Sequence, residues 1–425
     1  MIVNGLAGFK GRRILLLQGP LGPFFRRLAR DLTAAGAEVS KIDFNGGDWL
    51  FSQVGAIAFR GTRAAWPVFF EQVLDERQID MVLLFGDCRP LHSAAHDIVV
   101  ARGIDLGVFE EGYVRPDYIT LERFGVNGHS RISRSPVFYL NTPKIEVAAT
   151  VNVGNTFWYA AMWAMLYYQA SVLLRPWFRH YQHHRPLTMG ECLPWLRGTW
   201  RKHYFARKEK GVQAALSSTL SGQYFLVALQ VHNDAQLHVH SGFGSVPTFI
   251  ETVVSSFARF GPVGTDLVIK QHPLERGYHD YSQLVSELAQ ALGIPNRVRY
   301  IHDQHLPTLL EHARGVVLIN STVGLSALSH GTPLKVCGNA IYDMPGLTYQ
   351  GPLDDFWPQA EDLTVDAELY LRFRNYLIER TQLNGSFYQR LDITGSSAGL
   401  VWAVAGGGPD GAEMVGKEVL QHALL

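Results

Sequence analysis

Cysteine is scarce. Only Cys88, Cys192 and Cys337 occur in 425 residues, far apart and with no CxxC pair. That argues against a disulfide scaffold or a zinc ribbon and fits a reducing compartment. Net charge is absent as well: 38 basic residues balance 38 acidic ones, so the chain as a whole is not a nucleic-acid binder by electrostatics. None of the strand-end segments that could carry chemistry holds a GxGxxG fingerprint or a GxxxxGKS/T phosphate loop, which leaves dehydrogenase and P-loop ATPase readings weak. The first apolar run, Ile14 to Leu17, is four residues long, well short of a signal-peptide core. It reads as a first strand, and the protein is expected in the cytoplasm. Histidine clusters do occur, in HYQHH (180–184), HNDAQLHVH (232–240) and HDQH (302–305), yet none has HExxH or Cys/His zinc spacing, so no metal is expected.

What is present is a globular composition, 47% hydrophobic and 12% aromatic, and enough length for two domains. Strand and helix signals alternate through the first 110 residues: RILLLQG, the FFRRLARDLTAAG helix closing at Gly36, EVSKIDF, VFFEQVLDERQ, IDMVLLFG, LHSAAHDIVVARG and IDLGVFEEG. The alternation restarts with strands at 224–231, 265–271, 296–302 and 315–320 and helical segments between them. Such spacing implies βαβ units and parallel sheets. The expected fold is α/β and GT-B-like, with two Rossmann-like domains facing a central cleft. The boundaries read as 1–150 for the first domain, 151–217 for a helical insert, 218–395 for the second domain and 396–425 for a Gly/Ala-rich tail without assigned chemistry.

The insert opens with FWYAAMWAMLYYQASVLL, Phe157 to Leu174, 18 residues without a charge. That is the lower edge of a membrane span. A crossing here would separate the two half-sites, so the cleft expectation excludes it. An interfacial helix and an inter-domain packing helix remain open. Residues 175–210 then hold nine Arg/Lys against two Glu, interleaved with Trp, Phe and Tyr. This suits an anionic membrane surface as well as a solvated basic hairpin.

Candidate chemistry gathers at strand ends, where open α/β sheets bind ligands. Glu110 and Glu111 close a strand before Gly112; they alternate sides, so one can face a cleft as a general acid or base. Asp234 follows the strand at 224–231, as a nucleophile toward an anomeric carbon or as an Asx-turn or cap residue. His272, with Lys270 before it and Pro273 after, can donate to a phosphate. Asn320, Ser321 and Thr322 open a helix whose N-terminus suits an anion. Gly19 and Gly22 would let backbone approach a ligand.

The segments LLLQGPLGPFFRRLARDLTAAGAEVSKIDFNGGDWLF, FEEGYVRPDYITLERFGVNGHS, LQVHNDAQLHVHSGF, KQHPLERGYHDY and NSTVGLSALSHGTPLKVCGNAIYDMPGLTYQGPLDDFW resemble, in order, the KpsS/LipB capsule polysaccharide proteins, β-Kdo glycosyltransferases of Gram-negative bacteria. The resemblance runs from about Arg13 to about Tyr388. It implies a retaining transferase that takes β-Kdo from CMP-β-Kdo to phosphatidylglycerol or lysophosphatidylglycerol and so starts a poly-Kdo linker. The same resemblance implies a cytoplasmic protein peripheral to the inner membrane, alongside a second Kdo transferase and the capsule ABC exporter, with no cofactor, metal or nucleic acid. It assigns His272 of the His-Pro pair to the CMP phosphate and Ser321 and Thr322 to that phosphate or the ribose. Glu111 becomes the acid/base, with Glu110 as substitute, and Asp234 the nucleophile or an electrostatic stabiliser. Lys270 and Arg115 would pair with the Kdo carboxylate or the phosphate. Alternatives are a GT-B transferase for another activated sugar and a non-catalytic component of capsule export.

Overall fold

The structure is a computed structural model that describes residues 2–182, 192–393 and 395–402. Among these, one compact unit runs to Arg131, resumes at Ile145, and takes the chain again from Arg374; the other holds Ile132–Lys144 and the described residues from 192 to Phe373.

In the first unit β1 (Arg13–Leu16), β2 (Glu38–Asp43), β3 (Ile57–Ala58), β4 (Met81–Phe85) and β5 (Asp105–Glu111) are parallel, and β6 (Tyr118–Arg123) runs antiparallel to β5. The spatial order β6-β5-β4-β1-β2-β3 reverses between β1 and β4. The strands read as continuous apolar runs because both faces are covered. Ile14, Leu16, Met81, Leu83 and Phe109 point to one core with Phe24, Phe25 and Leu28 of α1 (Phe24–Ala34). Leu15, Leu17, Val82, Leu84 and Val108 point to the other. There they meet Trp66 and Phe70 of α3 (Trp66–Glu76) and Ala95 and Val99 of α4 (Pro90–Ala101), beyond the short α2 (Gly46–Leu50).

The second unit includes the short α5 (Pro136–Asn141) and a wholly parallel sheet: β7 (Tyr224–Ala228), β8 (Asp266–Lys270), β9 (Val298–Ile301), β10 (Gly315–Leu318) and β11 (Leu334–Val336), in the order β11-β10-β7-β8-β9. The expected helices appear as Val246–Phe260 and Ser282–Ala291, burying Phe249, Val253, Phe257 and Val285 against β7 and β8. Two Rossmann-like units are thus present, as the alternating pattern predicts.

The structure divides the chain differently from the sequence boundaries. The 151–217 segment is not a domain of its own. Its first helix, α6 (Phe157–Leu173), belongs to the first unit, and α7 (Cys192–Lys208) to the second. Nor does the second domain run to residue 395. β12 (Gln382–Asn384) pairs antiparallel with β6, and Phe387, Ala398 and Leu400 enter the first unit's core. The rest of the tail, 403–425, and part of the basic stretch, 183–191, lie outside the described residues.

No described helix is long and apolar enough to cross a membrane. One side of α6, Ala164, Tyr167 and Ser171, is buried against α2. Glycines make this approach possible: a Cβ on Gly46 would lie 2.2 Å from the Ala170 carbonyl oxygen, and one on Gly47 2.6 Å from the Tyr167 ring. Hydrogen bonds then fix the rotation. Tyr167 Oη donates to Asp48 Oδ1 at 2.8 Å and accepts from Asn45 Nδ2 at 2.8 Å, while Gln18 Nε2 reaches Asp48 Oδ2 at 3.1 Å. Other side chains of α6 stay exposed, Trp158 at 75% and Met165 at 62% among them. Overpacking a close contact of this kind costs about 1–3 kcal/mol. Gly46→Ala is therefore expected to lower stability by about that amount in urea unfolding. Gly242→Ala, where a Cβ meets nothing within 4 Å, is expected to leave stability unchanged.

Candidate active site

In the first unit the order reversal at β1 and β4 makes their C-terminal ends the natural place for a ligand. Gln18 follows β1. Arg89 follows β4 and donates to Gln18 Oε1 at 2.7 Å. At the end of β5 the two glutamates point to opposite sides, as strand geometry demands. Glu110, partly exposed, lies on the side of Gly86, Asp87 and Arg89; its Oε1 accepts the Glu111 N–H at 3.0 Å. Burial lifts its pKa to about 7, with the charges of Glu111 and Asp87 adding to the effect. Glu111 instead accepts from Tyr388 Oη at 2.8 Å. Gly112 cannot carry a side chain, because a Cβ would lie 1.9 Å from the Tyr118 carbonyl oxygen. His92, beneath the site, is buried; desolvation and the Arg89 charge drop its pKa to about 3, so the ring is neutral.

In the second unit the order reverses between β7 and β10. Gln230, just past β7, bridges the gap. Its Nε2 donates to Asp234 Oδ2 at 3.3 Å and to Asn320 Oδ1 at 3.0 Å, and its Oε1 accepts from the Asn320 N–H at 3.4 Å. Asp234 and Asn320, separated by 86 residues (320 minus 234), thus share one side chain. One strand over, His272 caps the 3₁₀ turn Pro273–Gly277: its Nδ1 accepts the Leu274 N–H at 3.2 Å. In the neutral ring this leaves the proton on Nε2, a donor suited to an anion.

Glu275, in the same turn, is fully buried. It accepts from the His232 N–H at 3.2 Å, from His232 Nδ1 at 2.8 Å and from His279 Nδ1 at 3.1 Å. It therefore ties the loop that carries Asp234 to the turn that carries His272. The turn is also braced by α7: a Cβ on Gly277 would meet the Pro194 carbonyl oxygen at 2.1 Å, and Arg201 Nη1 donates to the Arg276 carbonyl at 3.0 Å.

Other expected residues fall elsewhere. Lys270 is buried, its Nζ donating to the Gln271 carbonyl at 3.4 Å, and burial lowers its pKa despite the nearby Asp303 and Glu209 carboxylates. This placement makes it a core cation rather than a free anion hook. Arg115 is exposed and donates to the Gly112 carbonyl at 3.2 Å. Ser321 Oγ accepts the Val323 N–H at 3.3 Å at the start of the helix Val323–Ser329; Thr322 precedes that helix without a side-chain cap bond. Gly19 and Gly22 do not leave backbone open to a ligand: the Phe25 ring and Trp163 occupy the space where their Cβ atoms would stand, at 2.8 and 2.9 Å.

Sequence patterns missed Gln230, Glu275, Arg89 and Tyr388, whose roles arise only through long-range hydrogen bonds. The HNDAQ and HPLERGYH strings did hold a signal, a histidine flanking each end of the Glu275 tie. Replacing Glu275 with Leu removes three hydrogen-bond acceptances; a buried polar group left unpaired costs about 1–3 kcal/mol, and partial exposure of both histidines keeps the total near 2 kcal/mol. A drop of that size in chemical denaturation, with a smaller one for Glu275→Gln, is the expected result.

The chain is thus an α/β protein of two Rossmann-like units, each with polar groups gathered at its order reversal. The profile of a family described as "capsule polysaccharide biosynthesis protein" matches residues 80–388. The chain is 40% identical over 380 residues to the capsule polysaccharide export protein KpsS of Escherichia coli, covering 89% of this chain and 97% of the relative. It is 39% identical over 387 residues to the capsule polysaccharide modification protein LipB of Neisseria meningitidis serogroup B, covering 89% and 92%. Among solved structures, the β-Kdo 2,7 transferase KpsC of Thermosulfurimonas dismutans aligns over 96% of this chain and 99% of that chain, at 13% identity and a TM-score of 0.41. The chain belongs to the capsule polysaccharide biosynthesis protein family, and the KpsS/LipB resemblance is borne out.

Proposed function

We propose that this protein is a retaining glycosyltransferase that moves β-Kdo from CMP-β-Kdo to phosphatidylglycerol or its lyso form at the cytoplasmic face of the inner membrane. The observation that carries this is the Gln230 junction. It holds a carboxylate, Asp234, at the order reversal of a nucleotide-type sheet, and His272 presents an Nε2 proton from the neighbouring strand end. Family membership supports a role in capsule synthesis; the Kdo donor follows the motif resemblance.

In this mechanism Asp234 bonds to the anomeric carbon as the bond to the CMP phosphate breaks, and His272 Nε2–H donates to the departing phosphate. An ion-pair course, with Asp234 stabilising positive charge, uses the same residues. The acceptor hydroxyl then attacks, its proton passing to a carboxylate as the Asp234 bond breaks. Of the two glutamates, Glu110 has the pKa that a base working near neutrality needs. Membrane contact is served by the exposed Phe157, Trp158, Met162 and Met165 on α6 and by the exposed Trp200 and Tyr204 on α7, which stack at 5.5 Å. A second reading, a non-catalytic export component, draws on the name of the KpsS relative.

Purified protein given CMP-Kdo and a fluorescent lysophosphatidylglycerol should yield a product heavier by one Kdo, and Asp234→Ala and His272→Ala should each abolish it. A folded wild type that forms no product would favour the export reading.

The pH profile tests the base. Glu110 must be ionised to accept the proton, so the rate should fall as pH drops through about 7. Glu110→Gln should lower the rate at least 100-fold, the size usual for losing a general base, and remove that limb. If Glu111→Gln removes the limb and Glu110→Gln does not, the roles are reversed.

A further inference from the structure

We propose that Arg26, Arg27, Arg30 and Arg390 form an oxyanion subsite in the first unit that holds the phosphodiester of the acceptor lipid; the choice of a lipid rests on the function proposed above. On α1, Phe24, Phe25, Leu28 and Leu32 turn into the core. Arg26, Arg27 and Arg30 are left on the other side, where the charge of Arg390 from the returning chain also acts on Arg27. Burial, and then the charges of Arg390, Arg26 and Arg30, disfavour the protonated form of Arg27. Arg27 Nη1 and Arg26 Nε are buried and have no hydrogen-bond partner among the described residues. The ion pair of Arg390 is with Asp392, 3.6 Å away and fully exposed. The nearby Asp31 is engaged by Ser396 Oγ at 3.1 Å and the Ala398 N–H at 2.9 Å.

As a structural arrangement this is unfavourable. Two cations stand in the first turn of a helix that has no acidic residue and no side-chain cap there, so they oppose the positive end of the helix dipole. Arg26 and Arg30 are like charges at i,i+4, which also destabilises. A bound dianion or phosphodiester reverses each of these terms, because guanidinium forks match phosphate oxygens two at a time.

The surroundings favour a lipid over a free phosphate. Arg27 Cζ stands 5.9 Å from the Trp163 ring centroid, and Trp163 belongs to α6, whose Phe157, Trp158, Met162 and Met165 are exposed. An anionic headgroup at the arginines would therefore have apolar surface beside it for an acyl chain. The site also connects to the carboxylates: Trp163 Nε1 donates to the Tyr388 carbonyl at 3.0 Å, and Tyr388 Oη to Glu111 Oε1 at 2.8 Å.

The test compares wild type with the triple variant Arg26→Gln/Arg27→Gln/Arg30→Gln. A charge-matched control, Lys10→Gln/Arg63→Gln/Arg77→Gln, alters exposed residues outside the cluster. Co-sedimentation with vesicles of phosphatidylcholine, with and without phosphatidylglycerol, reads binding without any turnover. The triple variant should lose phosphatidylglycerol-dependent binding at least tenfold, the control should not, and Arg27→Lys should recover part of it. In transfer assays the KM for lysophosphatidylglycerol should rise at least tenfold with kcat and the KM for CMP-Kdo little changed, and inorganic phosphate should compete with the acceptor in the wild type alone. Equal vesicle binding by the folded triple variant and the wild type overturns the subsite. Wild-type binding of inorganic phosphate without preference for phosphatidylglycerol vesicles overturns the lipid assignment. Arginine-dependent vesicle binding without Kdo transfer would uphold the subsite and count against the transferase reading instead.

Discussion

The first unit depends on a buried carboxylate that has to be satisfied. Asp48 is enclosed, and burial raises its pKa even beside the cation of Lys41. Its oxygens are met by Tyr167, Gln18 and the Phe44 N–H. Residues 157–174 carry no charge, so hydrophobicity alone would let α6 settle on any face. Hydrogen bonds remove that freedom, because a buried donor or acceptor without a partner costs about 1–3 kcal/mol. Tyr167 and Ser171 must face Asn45 and Asp48, and the remaining faces of the helix follow. Trp163 lands over Gly22 and Arg27, and the apolar remainder turns to solvent. Because Gln18 also accepts from Arg89, the same network reaches the sheet end where Glu110 stands.

Much of this architecture is legible in the sequence, for a physical reason. Strands buried on both faces must be apolar throughout, so RILLL, MVLLF and YFLVA announce themselves, and the helices between them show their core faces at three- and four-residue spacing. β12 does not: its three residues pair with β6 in an antiparallel ladder, and the Gln382 and Asn384 side chains add bonds to the Tyr113 N–H and the Asp117 carbonyl beside that strand. No local periodicity encodes a contact made some 260 residues away. The same distinction separates the site residues. His272, Asp234 and Asn320 are visible because they follow the ends of strands. Gln230 and Glu275 are ordinary polar residues until the fold brings their partners to them. Gly19 and Gly22 mislead because a missing Cβ records close approach without saying what approaches, and here it is Phe25 and Trp163.

The insert shows how composition alone misreads organisation. A run of aromatics followed by a run of cations looks like one membrane-facing module. The fold instead separates the two halves. The α6 helix is bolted to the first unit's sheet end, while α7 braces the His272 turn through Gly277 and Arg276. Glu209, just past α7, adds to this by accepting from the His302 N–H and Gln304. Part of the basic charge therefore serves the second unit's structure, and the exposed Trp200 and Tyr204 are what remains for a surface.

The two sheet ends set their proton states by different physics. At His272 a backbone N–H occupies Nδ1, so the geometry of a short turn decides which nitrogen carries the proton. At Glu110 the bond from a backbone N–H is outweighed; burial and two neighbouring carboxylates hold the proton until about neutrality. The proposed transfer calls on both kinds of group, a proton donor for the departing phosphate and an acceptor for a hydroxyl proton. The donor must be fixed in direction, which a capping bond achieves. The base must be tuned in affinity, which requires partial desolvation instead. The proposed arginine subsite fits the same pattern, since Arg26 Nε and Arg27 Nη1 are buried with no hydrogen-bond partner among the described residues. A partly buried arginine cluster and a raised carboxyl within one unit are a cost in stability, and under the proposed function anion binding and proton acceptance are the physical reason to bear it.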